Sequence, residues 1–315
     1  MPRHEALTLT LARGSVDLAP AAQGEIEVEV AATGLNRADL LQQRGHYPAP
    51  PGVPQDVLGL EYAGTVVARG EGATQHAIGD RVMGIVGGGA FARRVVVHER
   101  EALPIPTRLS FAEAAAVPEA FITAHDALFT RAQVQKGDRV LIHAAASGVG
   151  TAAIQLARRV GATVVGTTRG AAKADVIRGL GAEAVVVEDG KFADQVRPVD
   201  VIIDLVGAVY FAENLASIAI LGRWVVLGLV GGGTVELPLG ALLSQRITLV
   251  GSVLRARTRT EKIAASEAFQ RDCGAALADG LLRPIVDEVF PIDSAAKAFR
   301  RMAENATIGK LVLEW

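Results

Sequence analysis

The sequence has a single cysteine, Cys273, among 315 residues, so no intramolecular disulfide can form. A reducing, cytosolic setting fits a chain held together without such bonds. Aromatic residues make up only 4% of the chain, and the net charge is −2 with Lys and Arg spread along it. No basic block is present, which argues against a nucleic-acid partner. Long apolar runs are missing too. The most apolar stretch, residues 215–243, is interrupted by Arg223, Glu236 and several glycines. It reads as buried strands and turns, and a membrane span of roughly 20 apolar residues is not expected. Residues 1–13 carry charges and have no apolar core of the kind a secretory signal needs.

What is abundant is glycine (34 residues) and alanine, within a composition that is half apolar. This suits an α/β protein with tight turns and close helix–sheet contacts. The length favours two lobes. Residues 5–104 read as short β-rich runs between turns. Glu25–Val30 (EIEVEV) alternates polar and apolar, as a half-buried strand does. Further strands are expected at Thr65–Ala68, Arg81–Val86 and Phe91–His98, with Pro- and Gly-marked loops at residues 45–54 and 70–79.

From Phe111 the pattern changes. Helices are expected at Phe111–Ala116 and Ile122–Thr130. Strands and helices then alternate: strand Arg139–His143, helix Thr151–Arg159, strand Thr163–Gly166, helix Ala171–Leu180, strands Ala184–Val187 and Val199–Asp204. A helix near Val209–Ile218 and strands Arg223–Leu227 and Ile247–Val250 follow. This rhythm predicts a doubly wound parallel sheet. After a helix at Glu261–Ala278, residues 284–315 return to the first pattern and are expected to rejoin the first lobe.

The strand Val140–His143 runs into Ala144-Ala145-Ala146-Ser147-Gly148-Val149-Gly150 and a helix. On the dinucleotide template G-x-G-x-x-G, the glycine positions fall on Ala145, Ser147 and Gly150, with Gly148 extra. Small residues at the first two positions keep the turn tight, and Gly148 would supply backbone freedom. Free N–H groups at the helix start, around Gly148 and Val149, can hold a pyrophosphate, and the Ser147 hydroxyl can donate to it. The competing reading is an ordinary Gly-rich strand–helix turn.

NAD-binding folds place an Asp or Glu after the second strand to hold the ribose 2′-hydroxyl. Here the strand ends Gly166-Thr167-Thr168-Arg169-Gly170, with Lys173 following. Two hydroxyls and two cations suit a 2′-phosphate, so NADPH is the expected cofactor. Alternatively, Arg169 and Lys173 are solvated residues at a helix start.

Longer stretches carry a family resemblance. They include Leu35-Asn36-Arg37-Ala38-Asp39-Leu40, Gly45-His46-Tyr47, Gly59-Leu60-Glu61 and Pro118-Glu119-Ala120-Phe121-Ile122-Thr123-Ala124. Gly222-Arg223-Trp224-Val225, Leu229-Val230-Gly231-Gly232 and Ile308-Gly309-Lys310-Leu311 add to them. Across nearly its whole length the chain resembles the quinone oxidoreductases of the medium-chain dehydrogenase/reductase superfamily, above all the tumour-suppressor-inducible branch. The resemblance implies an α/β fold: a Rossmann NADPH-binding domain at 121–272 and a β-rich GroES-like catalytic domain from 1–120 and 273–315. It also implies a homodimer. Zinc dehydrogenases of the superfamily carry Cys where this chain has Asn36 and His where it has Leu60, beside the retained Glu61. Neither replacement is a thiolate or an imidazole, and one cysteine cannot build a four-cysteine lobe, so no metal is expected. His46, His76 and His98 are not spaced as a ligand set.

A quinone is electrophilic, so hydride transfer from NADPH needs orientation and exclusion of water more than Lewis-acid help. The resemblance places Asn36, Tyr47 and Thr123 near the nicotinamide, with Tyr47 able to stack on a flat substrate and His46 a candidate proton relay. It runs the backbone of Gly228, Leu229 and Val230 under the nicotinamide, and sets Ser252, Val253 and Leu254 on its other side. Arg255 would sit near the substrate mouth, unless Arg255, Arg257 and Arg259 form a solvated face. Thr307, Gly309 and Lys310 would close over the cofactor. Where relatives often place a tyrosine after the third Rossmann strand, this chain has Val187-Glu188-Asp189. The acceptor is expected to be a quinone or another α,β-unsaturated carbonyl. Enoyl-thioester reduction and a non-catalytic NADPH-binding role, as in crystallins or sensors, are the alternatives.

Overall fold

The computed structural model describes residues 1–315. In chain order the elements are β1 (Arg3–Leu7), β2 (Arg13–Asp17), β3 (Glu25–Leu35), α1 (Arg37–Gln43), β4 (Glu61–Arg69), β5 (Arg81–Ile85), β6 (Arg94–His98), β7 (Ala102–Pro104) and α2 (Phe111–Ala115). Next come α3 (Thr123–His125), β8 (Arg139–Ile142), α4 (Gly148–Arg159), β9 (Thr163–Thr168), α5 (Ala171–Gly179), β10 (Glu183–Val186), α6 (Ala193–Val196) and β11 (Val199–Asp204). The remainder is α7 (Phe211–Ser217), β12 (Ile218–Val226), α8 (Leu239–Gln245), β13 (Thr248–Gly251), α9 (Arg259–Ala278), β14 (Val286–Pro291), α10 (Ala295–Ala303) and β15 (Lys310–Glu314). No helix is long and apolar enough to cross a membrane.

The chain divides into two units, residues 1–122 with 254–315, and residues 123–253. The first is the GroES-like unit. Its seven-stranded sheet runs β14-β15-β3-β4-β5-β7, with β6 also paired to β3. Strand β3 shows the burial alternation that EIEVEV predicts, then buries Ala32–Leu35 completely as it passes beneath neighbouring elements. The tail does rejoin this unit: β15 pairs antiparallel with β3 and parallel with β14. Leu35, Phe91, Phe290, Phe299 and Leu311 share one core of this unit, with Phe91 and Phe299 edge to face.

One boundary differs from the expected 272/273. Residues 254–272, including most of α9, belong to the first unit. The cause is the buried stripe of α9, Ile263, Ser266, Phe269 and Cys273. Phe269 packs on Phe121 with ring centroids 6.2 Å apart. The helix expected at 122–130 is also broken up. Wide turns at Pro118–Ile122 and Asp126–Arg131 flank the short α3.

The second unit is a six-stranded, wholly parallel sheet in the order β10-β9-β8-β11-β12-β13. This is the Rossmann order 3-2-1-4-5-6, with its reversal between β8 and β11. Leu141, Val165, Phe192, Ile202 and Trp224 anchor its core. The other edge strand, β13, leaves Leu249 at 38% exposure, and Leu239 and Leu243 of α8 are exposed as well.

Candidate active site

In the Rossmann unit, the turn from β8 into α4 is built by steric necessity. The chain reverses at Ala144, which takes a left-handed φ of 47°. Gly148 is therefore not the turning residue, contrary to expectation; it is the first residue of α4. Gly150 has the strictest demand. A Cβ there would lie 2.6 Å from Ala144 O and from the Ala145 backbone. Ala145 in turn puts its methyl where a template glycine would leave space. The opposing residue, Gly166 on β9, compensates, because a Cβ on Gly166 would come within 2.6 Å of that methyl. The degenerate motif is thus a redistribution of small residues across the strand pair.

Ser147 caps α4, its Oγ accepting from Gly150 N–H at 3.1 Å. A hydroxyl that accepts in this way still has its own hydrogen to donate. The N–H groups of Gly148 and Val149, first in the helix, have no intrahelical acceptors and carry the positive end of the dipole. These groups, with the glycine-dependent close approach at Gly150, fit a dinucleotide pyrophosphate.

At the end of β9, Thr168 is buried, Arg169 exposed and Lys173 half-buried on α5. Thr167 departs from the expected pocket. It is buried, and its Oγ lies 2.7 Å from His143 Nδ1. The sequence reading missed this network entirely. His143 Nε2 lies 2.6 Å from Asn214 Oδ1, and Asn214 Nδ2 and Trp224 Nε1 both donate to Asp204 Oδ2. With an amide oxygen facing Nε2, that nitrogen carries the hydrogen, and Thr167 donates to Nδ1. Burial lowers the His143 pKa and keeps the ring neutral. Phe192 and Tyr210 pack on the ring with centroids 5.0 and 4.9 Å away. Tyr210 also feels the charge of Arg169. A tyrosine therefore does stand near the basic end of β9, supplied after β11 instead of after β10, while Glu188 and Asp189 are exposed.

Gly228 N–H donates to Asp204 O, while Leu229 and Val230 are 57% and 63% exposed. Ser252 Oγ donates to Asp126 Oδ2 at 2.9 Å, and Val253 is exposed. Thr123 is half-buried on α3. Leu254 is buried and belongs to the first unit.

In the GroES-like unit, Asn36, Glu61 and Lys310 form one buried cluster. Lys310 Nζ donates to Leu35 O (2.9 Å), Asn36 Oδ1 (2.5 Å) and Glu61 Oε1 (2.6 Å). An ammonium has three donors, and all three are used. Lys310 is thus turned inward and 5% exposed, not laid over a cofactor as expected. The reason is the register of β15 beside β3, which puts Leu311 opposite Leu35. Asn36 Nδ2 donates to Glu61 Oε1 at 2.8 Å, so its amide is committed on both sides. Gly34 makes the approach possible, since a Cβ there would strike the Glu61 carboxylate and Ala115 O. Leu60, at the position where zinc dehydrogenases carry His, is a core residue at 1% exposure. Gly309 answers a packing demand: its φ is 75°, and a Cβ would collide with Ile285 O. Thr307 is half-buried just before it.

Arg255 is likewise not poised at an open mouth. It is 6% exposed and spends its fork on Gly87 O, Tyr47 O and Gln42 Oε1, with its guanidinium 4.9 Å from the Tyr47 ring centroid. It clamps the loop that carries Tyr47. The phenol stays protonated, since burial and the nearby Glu119 charge raise its pKa. His46 beside it is exposed, His76 lies 3.3 Å from Ala102 O, and His98 accepts from Arg100 N–H.

Two carboxyls that the sequence reading passed over complete the cluster. Asp39 accepts from Asn36 N–H and Gly59 N–H, and burial raises its pKa to about 6. Glu119 gives its N–H to Glu61 Oε2 at 2.8 Å, and its half-buried carboxyl is pushed up to about 8 by desolvation and by Glu61. Both lay inside stretches quoted for family likeness, but their mutual proximity is set by β3, β4 and the turn at Pro118–Ile122.

Comparisons with known proteins agree with this architecture. Residues 148–270 match the zinc-binding dehydrogenase family, and residues 22–107 match the alcohol dehydrogenase GroES-like domain. The chain is 32% identical over 305 residues to the mouse (Mus musculus) quinone oxidoreductase-like protein 2, covering 93% of this chain and 86% of that one. It is 34% identical over 311 residues to the polyketide synthase GfsB of Streptomyces halstedii, covering 97% of this chain but only 5% of the synthase. The crystal structure of CurK enoyl reductase superposes with a TM-score of 0.85 at 26% identity, covering 99% of this chain and 98% of that one. Fold and site together define an oxidoreductase that uses a nicotinamide cofactor. The chain belongs to the medium-chain dehydrogenase/reductase superfamily.

Proposed function

We propose that the protein is an NADPH-dependent, zinc-independent reductase of quinones or other α,β-unsaturated carbonyls. The observation that carries this reading is the Lys310 ammonium seated on Asn36 and Glu61. A fixed cation with all three hydrogens committed stands among the side chains that would otherwise face a metal, and Leu60 offers no ligand. An acceptor that needs little Lewis-acid activation suits such a site. The cofactor, when bound, supplies hydride. Ser147, Gly148, Val149 and Gly150 would hold its pyrophosphate, and Arg169 and Lys173 its 2′-phosphate. Tyr47, held by Arg255, would donate to the acceptor oxygen or stack on its ring.

Enoyl-thioester reduction is the second reading, favoured by the likeness to GfsB over nearly the whole chain and to CurK enoyl reductase. Loss of the reduced-nicotinamide absorbance with a naphthoquinone and with a crotonyl thioester separates the two. Turnover with the quinone alone supports the first reading, and turnover with the thioester alone the second. NADPH binding without turnover of either would point to a binding protein. Activity lost on chelation and restored by zinc would overturn zinc independence.

The protein is proposed to be a cytosolic homodimer. The support is the exposed edge strand β13 with Leu249, and the exposed Leu239 and Leu243 of α8, which packs on the adjacent strand β12, apolar surface that another copy can cover. Light scattering at micromolar concentration tests this, and a Leu243→Glu variant is expected to be monomeric.

A further inference from the structure

Three carboxyls, Asp39, Glu61 and Glu119, share the buried cluster with one ammonium. Their partners can be counted. Glu61 takes the Lys310 ammonium, the Asn36 amide and the Glu119 N–H. Asp39 takes two backbone N–H groups, from Asn36 and Gly59. Lys310 has no fourth hydrogen to give. Arg255 is committed to Gly87, Tyr47 and Gln42. The Glu119 side chain alone receives no donor, although its backbone is pinned to Glu61. A half-buried carboxylate with no donor, beside a carboxylate already there, is costly to ionise. Such a group keeps its proton, and it keeps a path to solvent through its exposed edge.

We propose that the Glu119 carboxyl is the proton donor to the reduced acceptor. The proposal rests on the reductase reading above and assigns the acid that reading lacks. Hydride delivery puts two electrons and one hydrogen into the acceptor and leaves negative charge on its carbonyl oxygen, while the reduced nicotinamide becomes oxidised. The O–H bond of Glu119 breaks as a new O–H bond forms on that oxygen. The Glu119 carboxylate left behind takes a proton from water. Lys310 and Arg255 do not compete for this role, since their hydrogens are already placed. Tyr47, close enough to Glu119 that the ionised carboxylate would raise the phenol's pKa, orients the oxygen that is protonated.

The test uses the full chain with Glu119→Gln and Glu119→Asp. In protein without cofactor, infrared titration is expected to show a protonated carboxyl band at neutral pH. That band should fade as pH passes about 8 and should be missing from Glu119→Gln. With NADPH and the acceptor that the wild type reduces, Glu119→Gln is expected to lose about a hundredfold or more in kcat. Its NADPH fluorescence titration should be unchanged. The wild-type rate should fall above about pH 8, a decline that Glu119→Gln lacks. Glu119→Asp, which keeps an acid, should retain part of the rate, and it serves where the Gln variant does not fold. Wild type active with Glu119→Gln equally active overturns the proposal alone. Wild type inactive towards every acceptor overturns the reductase reading and the proposal together.

Discussion

The Lys310 ammonium lies 2.6 Å from the Glu61 carboxylate, and the two side chains are only 5% and 0% exposed. A buried pair of this kind is costly to break from one side, because the remaining charge has no solvent. Lys310→Met is expected to lose about 3–5 kcal/mol of stability. Lys310→Met with Glu61→Gln should recover much of that loss. Urea midpoints of the two variants check it; a double variant no better than the single one would refute the pairing.

The pH dependence of stability follows from the same cluster. Asp39 and Glu119 titrate near 6 and 8 in the folded protein, against roughly 4 in an unfolded chain. Between those limits the folded state binds more protons than the unfolded one, so stability falls as pH rises through the window. Glu119→Gln should flatten the upper part of the slope, leaving the variant more stable than wild type at pH above 8 and similar near pH 4. Thermal melts across that range measure it. An identical slope in both proteins would count against a protonated Glu119.

Small residues traded across β8 and β9 give a third expectation. Gly166→Ala should clash with the Ala145 methyl and cost about 1–3 kcal/mol, as overpacking does. Ala145→Gly with Gly166→Ala should restore part of it, with Ile177, 3.0 Å from the new Cβ, setting the remainder. Chemical denaturation of the three proteins forms the cycle, and strict additivity would show that the two positions do not share the space.

Cofactor choice is the fourth. Replacing Arg169 and Lys173 by Ala is expected to lower the NADPH over NADH preference about a hundredfold or more, because charge-assisted contacts to a phosphate are worth roughly 1.5–3 kcal/mol each. Ratios of kcat/KM for the two cofactors measure this. An unchanged ratio would mean that neither side chain meets the 2′-phosphate.

The parts of this molecule legible in sequence were those written in a local period. EIEVEV announced β3 and its buried face, and the strand–helix alternation announced a parallel sheet whose order proved to be Rossmann. The turn at 144–150 was placed correctly, but its left-handed residue was not, since Ala144 looks no different from Ala145 until the carbonyl positions around Gly150 are known. Lys310 could not be seen to face inward, because lysine is rarely buried and its partners Asn36 and Glu61 arrive through β15 pairing with β3. Glu119 lay in plain view inside Pro118–Ala124, yet its missing donor shows only when the hydrogens of Lys310 and Arg255 have been counted. The 254–272 boundary failed for a similar reason: Phe269 meets Phe121 from far along the chain.

Residues 123–253 form a continuous unit between the two segments that make the GroES-like unit. During synthesis the middle unit can therefore fold while the other waits for β14 and β15. Until residue 310 leaves the ribosome, Asn36 and Glu61 have no ammonium between them, and the strand edge of β3 that β15 will cover is open. The nascent chain thus carries an unpaired acidic pocket and a bare strand edge for the time it takes to make the roughly 250 residues between Glu61 and Lys310, at roughly 5–20 residues per second. Chaperone dependence and aggregation during expression should track the supply of the final strand more than the stability of the nucleotide-binding sheet.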